Sequence, residues 1–335
     1  MELPQEIPFE ALVEALLDVD TPFSPRFLYR LSDLEAAELE MLKEVWEQVP
    51  DWRRKALLED VETLGAANYR LSFENLARFT ILDSLAEVRL PSIRTLSEYE
   101  ATDLIELYRQ ALSQDSDALV RAAAATALSH YVYLGEIEEL PSELLREIEQ
   151  DLIEVIRSED AKLVRRRALE ALSFSAREEV TEFISTAYDS ADKEWIVSAV
   201  FAMGRSANEK WAPQVLENLE NHFPAIRAEA ARAAGELELH AAVPQLLEML
   251  DDHDSDVRAA STWSLSQIGG EGVQEALEVM YEQTDDQEEA ELIEAALENL
   301  EFTENMQLFA LFDFSNPDED EDSGYFDIED FTEEP

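Results

Sequence analysis

Residues 243–269 read VPQLLEMLDDHDSDVRAASTWSLSQIG. The first part places apolar residues at helical spacing behind Pro244, which suits a first helical turn because its missing N–H costs no hydrogen bond there. A polar turn follows, and residues 257–265 form a second helical pattern whose inward positions are small. The stretch therefore predicts two short amphipathic helices, the second of which stops at Gly269.

This pattern recurs every 31 residues between Glu178 and Gly269. A helix pair of this size cannot bury its own apolar face, so it must stack on neighbouring pairs. The repeat predicts an all-α fold, a right-handed α-solenoid of roughly six to eight helix pairs. We call a set of residues that occupy the same position in successive repeats a column. The columns that define the repeat are Ile196, Arg227 and Arg258; Ala199, Ala230 and Ser261; Ala202, Ala233 and Ser264; Gly204, Gly235 and Ser266; Pro213 and Pro244. Gly235, like Gly269, is expected to end its helix.

The residues around Arg258 resemble a known repeat family. Asp252, Asp254, Val257 and Arg258, followed by small residues, are spaced as in the bacterial HEAT repeat, whose short form is also called the phycobilisome-lyase-type repeat. In HEAT repeats the aspartate and arginine of successive layers resemble a ladder that fixes stacking, and the second helices usually line the concave face. The resemblance therefore implies structural roles for one column of arginines, which are Arg121, Arg165, Arg227 and Arg258, with Arg78 as an earlier member.

Three segments differ in pattern. Residues 1–64 lack the repeat register and predict an N-terminal helical cap, with a capping box at Ser32 and Glu35. Residues 65–312 predict the HEAT-like solenoid, which includes a helix over 73–88 and a connector at Pro91. Residues 313–335 hold 11 acidic and no basic residues and show no periodicity, so we expect an acidic tail that is disordered when free.

The composition limits the classes of partner. The chain has 25 basic and 77 acidic residues, a net charge of −52, and this charge repels nucleic acid and acidic lipid headgroups. Either a partner with a basic surface or a host with generally acidic proteins would explain it. The sequence holds no cysteine and no apolar run of membrane-spanning length, and its start lacks a secretory signal pattern. We therefore expect a cytoplasmic protein without direct contact to nucleic acid or membrane.

The sequence offers poor material for an active site. HEAT-like deoxyhypusine hydroxylases resemble this architecture and hold iron through His-Glu pairs, whereas the four histidines here precede Tyr, Phe, Ala and Asp. We find no phosphate-binding loop and expect neither metal nor cofactor. The favoured function is a non-enzymatic protein-interaction scaffold; the alternative is a bilin lyase or chromophore chaperone, which would need an apolar cleft with convergent polar groups.

Two sets of residues are predicted to contact the partner. The first set lies one and five positions after the arginine column, where side chains are expected to point away from the core. Phe, Trp and Arg are typical of the energetic centres of interfaces. The alternative is that Phe201 and Trp263 fill gaps between layers. The members of this set are Val197, Phe201, Arg232 and Trp263. The other set interleaves apolar anchors with carboxylates in the tail, a composition suited to a basic groove with apolar pockets; a tail that only improves solubility is the alternative. Its members are Tyr325, Phe326, Ile328 and Phe331.

Overall fold

The computed structural model describes residues 7–313, with side chains through residue 302. Its contacts divide the chain between Ala207 and Asn208 into two compact units, and all regular secondary structure in the described residues is helical. The all-α class of HEAT-like helix pairs predicted from the repeat is confirmed. The boundaries predicted at residues 64 and 312 stay predictions.

The first unit contains eleven α-helices within the described residues, with 3₁₀ turns at Pro25–Phe27, Tyr29–Leu31 and Leu172–Phe174. From α4 onward they form four pairs of a first and a second helix, and each second helix also packs on the next second helix. The helices are α1 (Phe9–Leu17), α2 (Ala36–Trp46), α3 (Asp51–Ala67), α4 (Glu74–Thr80), α5 (Ala86–Leu96), α6 (Leu104–Gln114), α7 (Ala118–Glu136), α8 (Ser142–Arg157), α9 (Lys162–Ala171), α10 (Glu178–Tyr188) and α11 (Lys193–Arg205).

The second unit continues with three more pairs, and 3₁₀ turns at Glu209–Trp211 and His240–Ala242 precede two of them. Its second helices α13, α15 and α17 also pack in sequence. The helices are α12 (Ala212–Asn218), α13 (Pro224–Glu236), α14 (Val243–Met249), α15 (Ser255–Ile268), α16 (Val273–Gln283) and α17 (Gln287–Asp313).

Small residues let the second helices approach closely. Ala231 and Ala234 on α13 are fully buried, and the Ser264 hydroxyl on α15 donates to the carbonyl of Ala231 at 2.6 Å. A Cβ on Gly235 would lie 2.7 Å from the Trp263 ring and 3.0 Å from the Ser264 Cα. Gly235 is a close-packing position in the last turn of α13, which ends one residue later than predicted, at Glu236. Gly269 does follow the last residue of α15, with φ of 66°.

Asp252 and Asp254, the two aspartates of the repeat motif, make different hydrogen bonds. Asp254 caps α15 by accepting the N–H groups of Asp256 and Val257 at 3.0 and 3.3 Å. Asp252 accepts the N–H of Asp254 at 2.9 Å through one oxygen, and both of its oxygens accept hydrogen bonds of 2.9 Å from Arg227 of the preceding layer. One short motif thus both starts a helix and joins two layers.

Two local predictions in the first unit are wrong. The helix expected over 73–88 breaks between α4 and α5, and Pro91, expected in a connector, lies buried inside α5. The break surrounds Asp83, a buried carboxylate that accepts the Trp46 indole N–H at 2.6 Å and an Arg54 N–H at 2.8 Å. Both partners lie about thirty residues away or further, so no local pattern could place the break.

The capping box predicted at Ser32 and Glu35 is also wrong. Helix α2 begins after Glu35, whose backbone N–H donates to the Glu38 carboxylate at 3.1 Å. The Ser32 hydroxyl instead accepts the N–H of Ser72 at 3.0 Å. The box is therefore shifted by three residues, because a tertiary contact uses the serine.

Candidate functional site

A groove runs along the second helices of the first unit, where α5, α7, α9 and α11 pack in sequence. It consists of two adjoining cavities of about 460 and 520 Å³ that share Thr126, His130 and Arg167. We call this surface the arginine–aromatic groove. It is lined by Ile93, Arg94, Ser97, Leu119, Ala122, Ala123, Thr126, Ala127, Ser129, His130, Tyr133, Leu163, Arg167, Glu170, Ala171, Phe174, Phe201 and Arg205.

One end of the groove is aromatic. The ring centroids of Tyr133 and Phe174 lie 5.1 Å apart at a tilt of 58°. The Arg205 guanidinium lies 5.4 Å from the Phe174 centroid and 5.0 Å from that of Phe201. Tyr133 keeps 41% of its surface exposed. The cation thus lies against two half-buried rings, and Tyr133 adds an exposed aromatic surface beside them.

The charged residues that line the groove are mostly basic, although the chain as a whole is strongly acidic. Its charged lining consists of three arginines and one glutamate, His130 apart. Glu170 is buried, and it accepts hydrogen bonds from Arg167 and, at 2.5 Å, from the Ser198 hydroxyl. Arg94, at the other end, is 55% exposed and lies 3.5 Å from Glu62. A ligand in the groove therefore meets a local excess of positive charge.

The repeat explains how these residues come together. Counted from the arginine column, five and nine positions later on each second helix stand Thr126 and His130, then Glu170 and Phe174, then Phe201 and Arg205. Positions four apart lie one above the other on a helix, so stacked second helices bring them to one face. The predicted stripe used the first and fifth positions of three later layers, so it contains Phe201 but none of the other five residues. Extending the column by one turn would have found His130, Phe174 and Arg205.

The predicted stripe residues have different surroundings. Phe201 lines the groove and Val197 is half-buried on the same helix. In the second unit, Arg232 is exposed and pairs with Glu229 at 3.1 Å, while Trp263 is half-buried with its ring against Gly235. The tail residues Tyr325, Phe326, Ile328 and Phe331 lie outside the described residues. The stripe as a binding surface stays a prediction.

Repeated arginines elsewhere form the ladder that the resemblance implies. Arg121 donates twice to Asp160, at 2.8 and 2.5 Å, and once to the carbonyl of Asp115 at 2.8 Å. The hydrogen bond from Arg121 lowers the pKa of the Asp160 carboxyl more than burial raises it. Arg165 instead donates to the Ile156 carbonyl and lies over the Trp195 ring. The other rungs are Arg54–Asp83, Arg89–Asp115, Arg227–Asp252 and Arg258–Glu289.

The rung before Arg121 corrects one assignment. Arg89, not Arg78, donates to Asp115 and to the carbonyl of Asp83, six residues before it, as Arg121 does to Asp115. Arg78 lies on the first helix α4 and binds Asp103 through two bonds of 2.9 Å. The misplaced helix break between α4 and α5 caused this error. The ladder reaches Arg54 on α3, within the segment predicted as a cap.

Metal-binding clusters and membrane-spanning helices are absent from the described residues. Among residues 7–302, no cluster of three or more His, Asp or Glu could hold a metal ion. His130 lies in the groove, 3.6 Å from Glu100, and its ring meets Tyr131 edge-on at 5.6 Å. In the same part of the chain, no helix is long and apolar enough to cross a membrane.

Comparison with known families identifies the repeat. Residues 181–266 and 212–301 match the family model of HEAT repeats. This part of the chain therefore consists of HEAT repeats, as the spacing of Asp252, Asp254 and Arg258 predicts. HEAT repeats stack into surfaces that generally serve protein interaction. No curated protein matches the sequence.

Several solved structures are similar at low identity. Human deoxyhypusine hydroxylase in complex with glycerol is 18% identical over 89% of this chain and 97% of that chain, with a TM-score of 0.36. The CpcE–CpcF complex of phycocyanin lyase from Nostoc sp. PCC7120 is 18% identical over 68% and 94%, with a TM-score of 0.45. Yeast importin-β is 13% identical over 89% and 47%, with a TM-score of 0.48. At these TM-scores none of the three carries an argument about function.

Proposed function

We propose that this protein is a non-enzymatic interaction scaffold that holds a protein partner in the arginine–aromatic groove. The observation that carries the proposal is the cluster of Tyr133, Phe174, Phe201 and Arg205 around the 460 Å³ cavity. Tyrosine and arginine are enriched at the energetic centres of protein interfaces because they contribute large contact areas. Here they stand on packed helices, so little conformational freedom is lost on binding.

The acidic exterior supports a second contact. A net charge of −52 would draw in a partner with a basic surface and raise the rate of association, an effect that added salt weakens. The predicted tail anchors would add apolar contacts to the carboxylates that surround them. In this proposal the partner meets the groove through one segment and the acidic surface through another.

The experiment compares two phenylalanines that share a local environment. Phe201 carries the Arg205 guanidinium 5.0 Å from its ring and lines the groove. Phe183 carries that of Arg157 at 5.3 Å but lies on the first helix α10, outside the groove lining. We expect the tagged Phe201→Ala chain to lose proteins from host lysate that the wild type and Phe183→Ala both retain, as identified by mass spectrometry.

A second pair of variants reverses a charge instead of truncating a phenylalanine, so it leaves no packing defect. Arg205→Glu and Arg157→Glu each reverse one arginine over a phenylalanine ring. Only Arg205→Glu should reduce capture, by at least about tenfold if Arg205 is a hot spot. Equal capture by both members of both pairs, with unfolding midpoints alike, would exclude the groove as the binding surface.

One observation favours a second candidate, a chromophore chaperone or bilin lyase. The groove offers an apolar cleft of ligand size with convergent polar groups, which is what such a function needs. Arg167 and Arg205 could pair with the propionates of a bilin while the rings stack on its pyrroles. Titration with a bilin should then shift its absorbance, and Arg167→Met should reduce the shift. If the absorbance spectrum of the bilin is unchanged at saturating protein, the chromophore function is excluded and the scaffold function remains.

A further inference from the structure

A further cavity of the first unit adjoins the arginine–aromatic groove and shares Arg94 and Ser97 with it. Its volume is about 440 Å³, which lies within the roughly 300 to 1,000 Å³ of typical ligand-binding cavities. The cavity lies where the C-terminal half of α3, the loop that follows it and the end of α5 meet. We call it the acidic–aromatic cavity.

The charges around the acidic–aromatic cavity favour a cation. Its charged lining consists of Glu62 and Glu98 against Arg94, whose guanidinium lies 3.5 Å from Glu62. Ala66 on α3 and Thr95 on α5 also line it, and each stands one residue before the end of its helix. The C-terminal end of a helix carries a partial negative charge. Two helix ends and one surplus carboxylate therefore attract positive charge to this cavity.

The hydroxyl of Thr95 in this lining lacks a hydrogen bond. Thr95 is 6% exposed, and its hydroxyl oxygen is buried with no partner among the described residues. A helical threonine often bonds the carbonyl one turn earlier, as Thr80 does with Leu76 at 3.0 Å. A buried polar group without a partner costs stability. A donor that enters the cavity would find an acceptor there that is already desolvated.

The other walls of the cavity are apolar and aromatic. Leu71 and Phe73 line it, and the Phe73 N–H donates to the Tyr99 hydroxyl at 2.8 Å, which holds Tyr99 beside them. Tyr69 also lines the cavity, yet 90% of its surface is exposed. The face of a tyrosine ring attracts an ammonium group within about 6 Å. The exposed ring of Tyr69 is therefore available to cover a cationic ligand.

We propose that the acidic–aromatic cavity binds a lysine side chain of a basic protein segment. The proposal rests on the proposed function only in taking the occupant to be a protein. A lysine buries its aliphatic stem along apolar surface and ends in a compact ammonium with three donors. Leu71 and Phe73 contact the stem, and Glu62, Glu98 and Thr95 offer one acceptor for each donor.

The lining favours lysine over arginine. A guanidinium is bound best by a carboxylate that accepts two parallel hydrogen bonds, and the carboxylate of Glu62 already contacts Arg94. A second guanidinium would compete with Arg94 for this group, whereas an ammonium can use separate acceptors. Removing Arg94 should therefore strengthen the binding of lysine.

The chain has only nine tyrosines, so their ring signals in NMR spectra report binding directly. The probe is the blocked peptide Gly-Gly-Lys-Gly-Gly, titrated at physiological salt into the full chain with isotope-labelled tyrosine. The signals of Tyr69 and Tyr99 should shift and saturate. Those of Tyr29 and Tyr281, which are exposed but lie outside this cavity, should stay in place.

Two further peptides test the chemistry of the occupant. A norleucine peptide keeps the stem without the charge and should bind at least about tenfold more weakly, and the arginine peptide should also bind more weakly than the lysine peptide. Equal shifts with norleucine would show that the cavity is merely apolar. Tighter binding of the arginine peptide would overturn the assignment to lysine. So would the absence of any shift at about 10 mM lysine peptide, tenfold above a millimolar Kd.

Charge variants should change the affinity for the lysine peptide in opposite directions. Glu62→Gln with Glu98→Gln should weaken it at least about tenfold, whereas Glu143→Gln with Glu154→Gln, both exposed on α8, should leave it unchanged. Arg94→Met should strengthen it by up to about fivefold, as expected for removal of an exposed competing cation. Unchanged affinity in the first pair, or weaker binding by Arg94→Met, would contradict the proposal.

Thr95→Val and Tyr69→Ala separate ligand contact from packing. Valine keeps the shape of threonine and removes a hydroxyl that has no partner to lose, and Tyr69 is too exposed to support the fold. Unfolding midpoints should therefore hold or rise. Affinity for the lysine peptide should fall by about twofold to tenfold for Thr95→Val and about twofold to fivefold for Tyr69→Ala. Wild-type affinity in both variants would overturn the proposed arrangement of the site.

The two proposals can fail separately. If Phe201→Ala retains every partner while the rings of Tyr69 and Tyr99 respond to the lysine peptide, the groove proposal is wrong and the cavity stands. If Phe201→Ala loses partners while both rings are unaffected by the peptide, the scaffold proposal stands and the lysine site is wrong.

Discussion

Arg121 and Arg94 lie on neighbouring second helices of one unit, yet their side chains have opposite surroundings. Arg121 is 18% exposed and makes three hydrogen bonds, two of them to the Asp160 carboxylate. Arg94 is 55% exposed and has a contact of 3.5 Å with Glu62. The first joins consecutive layers, and the second points a charge into the groove. Their position relative to the repeat, one on the arginine column and one off it, separates the two roles.

The difference shows that a repeat fold can use arginine for stability in one column and for ligand contact at other positions. The ladder arginine Arg121 directs all three of its guanidinium nitrogens at a carboxylate or a carbonyl of the stack, which leaves it few donors for a ligand. In the groove, Arg205 lies beside the rings of Phe174 and Phe201. Stability and recognition thus depend on the same residue type in different columns. Substitutions in the two columns should therefore have different consequences.

The largest effect on stability is expected at an aromatic residue that is packed between layers. Trp263→Ala removes a ring that lies against Gly235, and the cavity left should cost about 2 to 3 kcal/mol of unfolding free energy. Phe201→Ala, at the groove surface, should cost about 1 kcal/mol. Thermal unfolding followed by circular dichroism measures both. Similar midpoints for the two variants would mean that Trp263 contributes little packing and is available to a partner.

A smaller effect is expected for the two arginines. Arg121→Met leaves the Asp160 and Asp115 acceptors without their donor and should destabilise by about 1 to 3 kcal/mol. Arg94→Met should cost less than about 0.5 kcal/mol because its pair is exposed. Denaturant midpoints of the two variants give the comparison. If both changes cost the same, the ladder does not stabilise the stack.

The ladder should also respond to acid. Arg121 holds the pKa of Asp160 below its usual value of 3.8, so the folded state binds this proton less tightly than the unfolded state. The stabilisation is therefore full above pH 4 and is lost as pH falls through the lowered pKa. Asp160→Asn should be less stable than wild type at pH 7, and the difference should shrink below about pH 3.8. A difference that persists undiminished at pH 2.5 would point to packing and not charge.

Sequence could predict the layers because their signal is local and repeated. The second helix α15 and its N-cap Asp254 follow from periodicity and capping alone. The break around Asp83 could not be predicted, since its partners Trp46 and Arg54 come from another layer. Pro91 likewise sits inside α5 because burial of that helix against its neighbours outweighs the local cost of proline.

The groove was only half predictable. Phe201 follows from the column, but the pairing of Arg205 with Phe174 requires α11 to lie beside the 3₁₀ turn that ends α9. The net charge of the chain is negative, whereas the charged lining of the groove is mostly arginine. A sum over the whole chain cannot reveal a local cluster of three arginines. Charge arguments from composition therefore apply to the exterior and not to a groove.

The smallest effect concerns a carboxylate that lacks a ladder arginine. Glu149 on α8 is buried, and it accepts a hydrogen bond from the Ser175 hydroxyl, with Arg177 only at 4.0 Å. Burial raises its pKa above the usual value despite the hydrogen bond from Ser175. The folded state therefore binds the proton more tightly than the unfolded state, so this contribution to stability is full below about pH 4.5 and is lost as pH rises through the folded pKa.

Glu149→Gln removes the charge and keeps an acceptor for Ser175. Relative to wild type, we expect the variant to gain a few tenths to about 1 kcal/mol at pH 7, with the gain closing near pH 4. Because any lost carboxylate also relieves repulsion in a chain of charge −52, Glu143→Gln, exposed on the same helix, serves as the control. Only the excess over Glu143→Gln measures burial. If Glu149→Gln is instead less stable at pH 7, then Arg177 pairs with Glu149 strongly enough to make it another structural ion pair, and the contrast between ladder carboxylates and Glu149 disappears.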